Sequence, residues 1–232
     1  MHAVVIGAGI AGLATAALLG REGCEVTVVD SLDEVGGRAG SFEEAGFRWD
    51  TGPSWYLMPE AFDHFFALCG TSTEAELDLV DLSPAYRVFH GDTPVDVNSG
   101  MEEVAALFES LEPGAGEKVR EYLAQASDTY EMALKHFLYT TFSAPLNLVH
   151  RDIRTRLSRL VALLSANLKQ HVGRSFSDAR LRQILSYPAV FLSSEPAAAP
   201  ALYSLMSHTD LVEGVRYPQG GFAAVVQAIY LS

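Results

Sequence analysis

Cysteine and positive charge are both scarce in this chain of 232 residues. The two cysteines, Cys24 and Cys69, lie far apart and form neither a CxxC pair nor a metal-ligand spacing. We therefore expect reduced thiols, as in most cytoplasmic proteins, and neither a disulfide framework nor a metal site. Lysine and arginine total 16 against 29 acidic residues, which gives a net charge of −13. A chain this acidic is not expected to bind free nucleic acid.

The chain also lacks an apolar run of the kind that crosses a membrane. Residues 3–20 carry no charge, but four glycines interrupt them and no basic stretch precedes them. The sequence therefore predicts neither a signal peptide nor a transmembrane helix. Hydrophobic residues make up 49% of the chain and charged residues 19%, a composition typical of a globular protein. The length fits one large domain or two modest ones.

Hydrophobic periodicity predicts a βαβ unit at the start of the chain. Residues 3–7 form a short run rich in β-branched side chains, which predicts a fully buried strand. Residues 10–22 have the pattern of a helix, and residues 25–30 predict a second strand. The further predicted elements are hairpins over 39–50 and 86–97 and helices over 59–70, 101–111, 117–139 and 151–172.

The first turn of this unit carries a G-x-G-x-x-G motif made of Gly7, Ala8, Gly9, Ile10, Ala11 and Gly12. Gly7 permits the sharp strand-to-helix turn, Gly9 lets a pyrophosphate approach the backbone, and Gly12 lets the helix pack closely on the strand. The helix N-terminus offers unpaired N–H groups and partial positive charge to phosphates. Asp30, at the end of the second predicted strand, can accept hydrogen bonds from adenosine ribose hydroxyls and would repel a 2′-phosphate. The motif therefore predicts a dinucleotide site and disfavours NADP.

A second glycine motif, Gly36-Gly37-Arg38, follows Asp30 closely and favours FAD over NAD. A simple NAD-binding unit does not need a glycine pair and a cation at this distance from the acid. FAD lies extended across its domain, and its pyrophosphate needs counter-charge that a helix terminus supplies only in part. A glycine turn bearing Arg38 can supply the rest, because a guanidinium group stays charged and binds phosphate oxygens in fork geometry.

Five stretches of the sequence together resemble a known family. They are VIGAGIAGLATAALL at 5–19, VTVVD at 26–30, VGGRAGSF at 35–42, GFRWDTGPSWYLMPE at 46–60 and GVRYPQGGFAAVVQAI at 214–229. The first three resemble the FAD fingerprint of amine-oxidase-like flavoproteins. With the last two, the chain resembles the N-terminal portion of bacterial phytoene desaturases and related carotenoid desaturases.

This resemblance implies which residues bind the cofactor. The glycine loop 7–12 would hold the FAD pyrophosphate, Asp30 the adenosine ribose, and Gly36-Gly37-Arg38 would lie near the phosphates. A turn beside the ribityl chain or the flavin ring would be formed by Asp50, Thr51, Gly52, Pro53 and Ser54. The approach to the flavin would be lined by Tyr217, Pro218, Gly220 and Gly221. The sequence assigns no catalytic residue.

The resemblance also implies the fold class and the domain organisation. We expect an α/β protein, with a Rossmann-like FAD-binding βαβ domain and an inserted, mostly helical α+β substrate domain. Residues 1–80 would form the first part of the FAD-binding domain, 81–213 the substrate and membrane-facing domain, and 214–232 the return into the FAD domain. Family members are about twice as long, so a later segment is expected to complete the FAD domain.

The activity implied by the resemblance is desaturation of a carotenoid precursor, a phytoene-like polyene, by hydride transfer to the flavin. Other enzymes of the same superfamily remain as alternatives: a carotene isomerase, a protoporphyrinogen oxidase or an amine oxidase. A prenyl-binding carrier has a related fold without redox chemistry, and it is a further alternative. The intact Gly36-Gly37-Arg38 motif argues against the carrier.

Half of the basic residues lie in one segment. Residues 151–182 carry eight lysines and arginines and two aspartates, a net charge of +6, whereas the rest of the chain has eight basic and 27 acidic residues. A basic amphipathic region in an acidic protein suits an anionic membrane surface, where a lipophilic polyene dissolves. We predict peripheral docking through 151–182 and the aromatic run 137–142, at the cytoplasmic face of the cell membrane. The alternative is a solvated charged face on a core helix.

Overall fold

The computed structural model describes residues 1–140 and 151–232, and it divides into two compact units. The first unit consists of Met1–Leu82 and Val215–Ser232, and the second unit consists of Ser83–Gly214. The sequence predicted borders at 80/81 and 213/214 and assigned a function to each of the three segments. Those roles stay a prediction.

The first unit begins with the predicted βαβ arrangement. Strand β1 (His2–Ile6), helix α1 (Ile10–Arg21) and strand β2 (Glu25–Val29) follow one another, and the two strands pair in parallel from His2↔Glu25 to Ile6↔Val29. A crossover helix between parallel strands is the expected connection. This local architecture is confirmed.

Strand β1, however, is not fully buried as predicted. The side chains of Val4 and Ile6 are 58% and 86% exposed, and Val29 on β2 is 43% exposed. Within the described part of the chain, β1 and β2 form a two-stranded sheet, and α1 packs against it. The prediction took an unbroken apolar run as evidence that both faces of the sheet are covered. Here one face carries exposed apolar side chains.

The remaining elements of the first unit come from both ends of the chain. They are the hairpin β3 (Ser41–Glu44) and β4 (Phe47–Asp50), helices α2 (Pro59–Leu68) and α3 (Thr73–Glu76), strand β5 (Leu79–Asp81), strand β8 (Arg216–Pro218) and helix α9 (Phe222–Leu231). Strands β5 and β8 pair antiparallel. Leu13, Phe66, Val225 and Ile229 belong to one buried cluster, which joins α1, α2 and α9 in a common core.

The second unit is mostly helical. It contains the hairpin β6 (Tyr86–His90) and β7 (Thr93–Val97) and helices α4 (Met101–Leu111), α5 (Ala115–Ala133), α6 (Arg151–Ser165), α7 (Leu168–Gly173) and α8 (Ala179–Ser186). Helix α5 continues into a π-helical turn at Leu134–Leu138. The core of the unit contains Val97, Phe108, Leu123, Leu168 and Leu185.

The predicted helix over 151–172 is two helices, α6 and α7. Asn167 lies between them in an extended conformation, with φ −92° and ψ 158°, and its side chain accepts a hydrogen bond from the Gln170 backbone N–H. Asparagine is a preferred N-cap residue because its side chain satisfies an N–H group of the first turn. The leucine periodicity runs through this break, and so it predicted a single helix.

Helix α6 is apolar on two faces. Ile153, Leu160 and Leu163 are buried. Leu157 and Leu164, which share the helical period of α6, are 53% and 58% exposed. Spacing of the i, i+3, i+4 type identifies an apolar stripe but not what covers it.

Asp210 is a buried acid in the second unit. Its side chain is 2% exposed and its Oδ2 accepts a hydrogen bond of 3.2 Å from the Tyr86 hydroxyl. Its Oδ1 is buried without a hydrogen-bond partner among residues 1–140 and 151–232. Burial disfavours the charged carboxylate and raises the pKa of Asp210 to about 7.

Candidate cofactor site

The glycine loop between β1 and α1 has the geometry that its sequence predicts. Gly7 has φ 107°, a backbone conformation that residues with a side chain rarely adopt, and its N–H donates to the Val29 carbonyl at 2.7 Å. A Cβ atom on Gly12 would lie 1.8 Å from the Gly7 carbonyl oxygen. Helix α1 can therefore start this close to the turn only with glycine at position 12.

Asp30 binds the glycine loop from the end of β2. Its Oδ2 accepts the Ala8 N–H at 2.6 Å and its Oδ1 accepts the Leu32 N–H at 2.9 Å. These hydrogen bonds lower the pKa of Asp30, and the bond from Ala8 has the largest effect. The exposed carboxylate is therefore ionised at neutral pH. An ionised carboxylate has about four acceptor positions. Asp30 thus supports the loop and keeps capacity for ribose hydroxyls, the ligand predicted from the sequence.

The second glycine motif lies directly against the first. The Gly36 N–H donates to the Ala8 carbonyl at 2.8 Å, and Gly9 and Gly36 form an isolated bridge. Gly36 and Gly37 have φ 113° and 57°, in the left-handed region that favours glycine. Gly37 begins the single 3₁₀ turn Gly37–Ala39, which carries the exposed Arg38. The structure therefore brings Arg38 beside the phosphate-binding loop predicted from residues 7–12.

Residues 50–54 join the same cluster through their backbone. The Thr51 N–H and hydroxyl group both donate to the Gly40 carbonyl at 2.9 Å. A Cβ atom on Gly52 would lie 1.8 Å from the Arg38 carbonyl oxygen, so only glycine fits there. Pro53 and Ser54 continue from this contact as exposed residues.

The segment 217–221 reaches the cluster through Asp50, which the resemblance placed in the turn 50–54 without predicting this contact. Asp50 Oδ1 accepts the Phe222 N–H at 2.9 Å, at the start of α9. A Cβ atom on Gly221, which has φ 78°, would lie 2.8 Å from the same oxygen. No local pattern could have identified this pair, because residues 50 and 222 are 172 positions apart.

A second contact holds the same two parts of the chain together. The Tyr56 N–H donates to the Arg216 carbonyl at 2.8 Å, just before Tyr217 and Pro218 in β8. Tyr217 is partly exposed and Pro218 is buried. The segments 7–12, 36–40, 50–54 and 216–222 therefore form one continuous backbone cluster in the first unit.

This cluster fits a dinucleotide pyrophosphate. Gly9, the N-cap of α1, has no side-chain cap, which leaves the first N–H groups of the helix for an anion. The nearest atom to a Cβ placed on Gly9 is the Gly36 carbonyl oxygen at 3.9 Å, so a ligand can approach the backbone there. Arg38 supplies a guanidinium group next to this position.

The described residues of the chain supply no metal site. No group of three or more His, Cys, Asp or Glu side chains suited to a metal lies within 1–140 and 151–232. His208, which is close in sequence to the predicted flavin-side motif, belongs to the second unit, where its Nδ1 contacts Ser127 Oγ at 2.7 Å and its Nε2 lies 3.3 Å from Glu213. These contacts suit a structural role.

Comparison with known proteins identifies relatives over nearly the whole chain. The model of the family described as flavin containing amine oxidoreductase matches residues 10–231. The carotenoid 3,4-desaturase of Haloarcula japonica is 41% identical, over 97% of this chain and 46% of that protein. The phytoene dehydrogenase of Streptomyces griseus is 38% identical, over 98% of this chain and 45% of that protein. The chain thus spans about half the length of these relatives.

A solved structure shares the fold. An oxidoreductase from Methanosarcina mazei superimposes with a TM-score of 0.58 and 21% sequence identity, over 100% of this chain and 48% of that one. At this identity the likeness is evidence of fold alone. It agrees with the predicted α/β architecture of the first unit.

Proposed function

The chain belongs to the family of flavin-containing amine oxidoreductases. We propose that it functions as an FAD-dependent oxidoreductase that desaturates a carotenoid precursor. The family resemblance predicted from the glycine motifs is confirmed, and FAD is the cofactor of that family. The observation that carries the proposed activity is the 41% identity to a carotenoid desaturase over 97% of the chain. The cluster of glycine motifs around Asp30 and Arg38 supports it.

The proposed roles of the cofactor-site residues follow from this cluster. The loop 7–12 would bind the pyrophosphate through backbone N–H groups, with Arg38 neutralising its charge. Asp30 would accept hydrogen bonds from the adenosine ribose. Residues 51–54 and 217–221, which Asp50 holds together through α9, would lie on the flavin side.

When bound, FAD supplies the acceptor for the hydride that leaves an allylic carbon of the polyene, while a proton leaves the neighbouring carbon. The task of this chain is to position the two reactants and to exclude water. Glycines at 12 and 52 allow backbone segments to pack too closely for side chains, which would fix the loops that hold the cofactor. We assign no residue to the proton.

The full-length protein provides the test. It should purify with a flavin absorption band at about 450 nm, and it should convert phytoene to a product with a longer conjugated system. Turnover of amines or protoporphyrinogen but not phytoene would favour the alternative oxidases, and isomerisation without net oxidation would favour a carotene isomerase. A colourless protein that binds prenyl chains would favour the carrier.

We further propose that the second unit is the inserted substrate domain and that it contacts the membrane at the cytoplasmic face. Leu157, Val161 and Leu164 are 53%, 55% and 58% exposed on α6 and follow i, i+4, i+7 spacing, which places them on one face. Arg154 is exposed on the same helix. An apolar stripe with basic neighbours suits a helix lying in the membrane interface. Within the described residues no helix has the length and apolarity to span a bilayer.

The structure changes which residues test this contact. Arg159, a natural choice from the sequence, forms an ion pair with Asp128 on α5, so its replacement would disturb the fold. Of the aromatic run 137–142, residues 141 and 142 lie outside the described residues.

We expect Leu157→Ser/Leu164→Ser to reduce flotation with phospholipid vesicles. Leu68→Ser, at a leucine 51% exposed on α2, is the matched control. Equal flotation of both variants and the unchanged protein would refute membrane contact through α6.

A further inference from the structure

Six of the eight basic residues of segment 151–182 fall into two groups. The first group forms ion pairs within the second unit. Arg156 and Arg159 both bind Asp128, and Arg180 binds Asp178 with its Nη2 2.6 Å from Oδ2. The Arg156 guanidinium holds the pKa of Asp128 well below its usual range. These three arginines are therefore explained by the fold.

The second group lines a single cleft. Lys169, Arg174 and Arg182 lie on the walls of an open cleft of about 1210 Å³ between α7, α8 and the loop 195–197. All three side chains are exposed, and none forms an ion pair with another described residue. Glu195 is the carboxylate among the lining residues. The described lining carries an excess of positive charge in a chain with a net charge of −13.

Polar side chains add hydrogen-bond donors to this cleft. Asn167 Oδ1 accepts the Gln170 N–H at 2.8 Å, and Gln183 Oε1 lies 3.3 Å from His90 Nδ1. With both amide oxygens engaged, each of these two lining residues has its NH₂ group left to offer a ligand. Arg182 donates from Nη2 to the Ser177 carbonyl, which anchors one end of its guanidinium group and leaves further N–H donors.

We propose that this cleft binds a phosphate-bearing anion. Converging guanidinium, ammonium and amide donors match the several acceptor oxygens and the double charge of a phosphate group. Tyr187 and Val190 add apolar surface to the lining, so an apolar group can be attached to the phosphate. The cleft exceeds the ~300–1,000 Å³ of typical small-molecule sites. The proposal does not depend on the flavin site, which lies in the first unit.

Two probes distinguish the possible sources of the phosphate. Binding of inorganic pyrophosphate to the full-length protein, measured by isothermal titration calorimetry, tests for a free phosphate compound. Flotation with vesicles of phosphatidylglycerol and phosphatidylcholine, compared with phosphatidylcholine alone, tests for a lipid headgroup. The flavin absorption of each variant is recorded in parallel. Substitutions in the cleft should leave it unchanged, so this measurement separates a failure of the cleft proposal from a failure of the proposed enzymatic function.

The main variants are Arg174→Gln/Arg182→Gln and Lys169→Gln/Arg174→Gln. The second pair leaves the hydrogen bond from Arg182 to the Ser177 carbonyl in place, so it tests the cleft without disturbing the fold. We expect each pair to weaken binding of the responsive probe about tenfold or more. Arg154→Gln, on the same basic segment but outside the cleft, should leave pyrophosphate binding unchanged. Glu195→Gln should tighten binding, because it removes the lining carboxylate.

The result identifies the source or rejects the site. Pyrophosphate binding that the cleft variants weaken supports a free phosphate compound as the ligand. A phosphatidylglycerol-dependent flotation that the same variants abolish, without pyrophosphate binding, supports a lipid headgroup. Binding of neither probe, or binding of either probe that both variant pairs leave unchanged, overturns the proposal.

Discussion

Replacing Asp210 with asparagine should remove a pH dependence of stability that this one side chain creates. Its pKa is about 7 in the folded protein against a normal value of 3.8. Between these values the folded chain keeps a proton that the unfolded chain releases, so the free energy of unfolding falls as pH rises. The stabilising effect is complete below pH 3.8 and is lost once pH has risen through 7.

The magnitude follows from the size of the pKa difference. Each pH unit in this window costs about 1.4 kcal/mol, so the full effect is about 4 kcal/mol. Asparagine is close in shape, can still accept the hydrogen bond from the Tyr86 hydroxyl and does not titrate. The difference in unfolding free energy between Asp210→Asn and the unchanged protein should therefore shift by about 3 kcal/mol in favour of the variant between pH 4 and pH 7.

Urea denaturation followed by far-ultraviolet circular dichroism is the suitable assay. The second unit is mostly helical, whereas Trp49 and Trp55 both lie in the first unit and would report on that part instead. Asp92→Asn, in the exposed turn between β6 and β7, is the control and should show no comparable shift. A difference for Asp210→Asn that stays constant from pH 4 to pH 7 would refute the assigned ionisation.

Three further predictions concern close packing, capping and ion pairing. Gly12→Ala should abolish flavin absorption and lower the melting temperature, because the new Cβ would lie 1.8 Å from the Gly7 carbonyl oxygen. Gly20→Ala on the same helix is the control, since a Cβ there meets nothing within 4 Å. It should raise the free energy of unfolding by up to about 1 kcal/mol. Asp50→Ala should lower the free energy of unfolding in urea by about 1 kcal/mol, because the Phe222 N–H loses its acceptor. Asp50→Asn keeps an acceptor oxygen and should retain most of the stability. Equal losses in the two variants would contradict the capping role. Asp128→Asn should cost about 1 kcal/mol at neutral pH, since Arg156 and Arg159 lose a partly exposed partner. Because the pKa of Asp128 is lowered, this cost should shrink as pH falls below about 4, and a cost independent of pH would exclude the ion pairs as its source.

Local signals in the sequence were sufficient for the start of the first unit. The βαβ unit and the glycine loop were predictable because each depends on neighbours within about thirty residues, where strand and helix periods and glycine spacing are informative. The contact between Gly36 and Ala8 also fits this rule. The family resemblance then extended the expected site to residues 51–54 and 217–221.

Long-range pairings and surface coverage could not be predicted in the same way. Strands β5 and β8 have three residues each, too few to show a period, and they pair across more than 130 positions. The hydrogen bond between Asp50 and the Phe222 N–H depends on the tertiary fold, which a local sequence pattern does not reveal. The exposure of Leu157 and Leu164, and the ion pairs that occupy Arg156 and Arg159, depend on which neighbours pack against α6.

The hydrogen bond from Phe222 to Asp50 has a consequence for how the protein is made. The two residues are separated by 172 positions, so at a synthesis rate of about 5–20 residues per second roughly 10–30 s pass between their appearance on the ribosome. During that interval the glycine loops and Asp50 have already been synthesised, but β5 has no strand to pair with and α9 does not exist. This part of the proposed cofactor site can therefore form only after the return segment 216–222 has been synthesised.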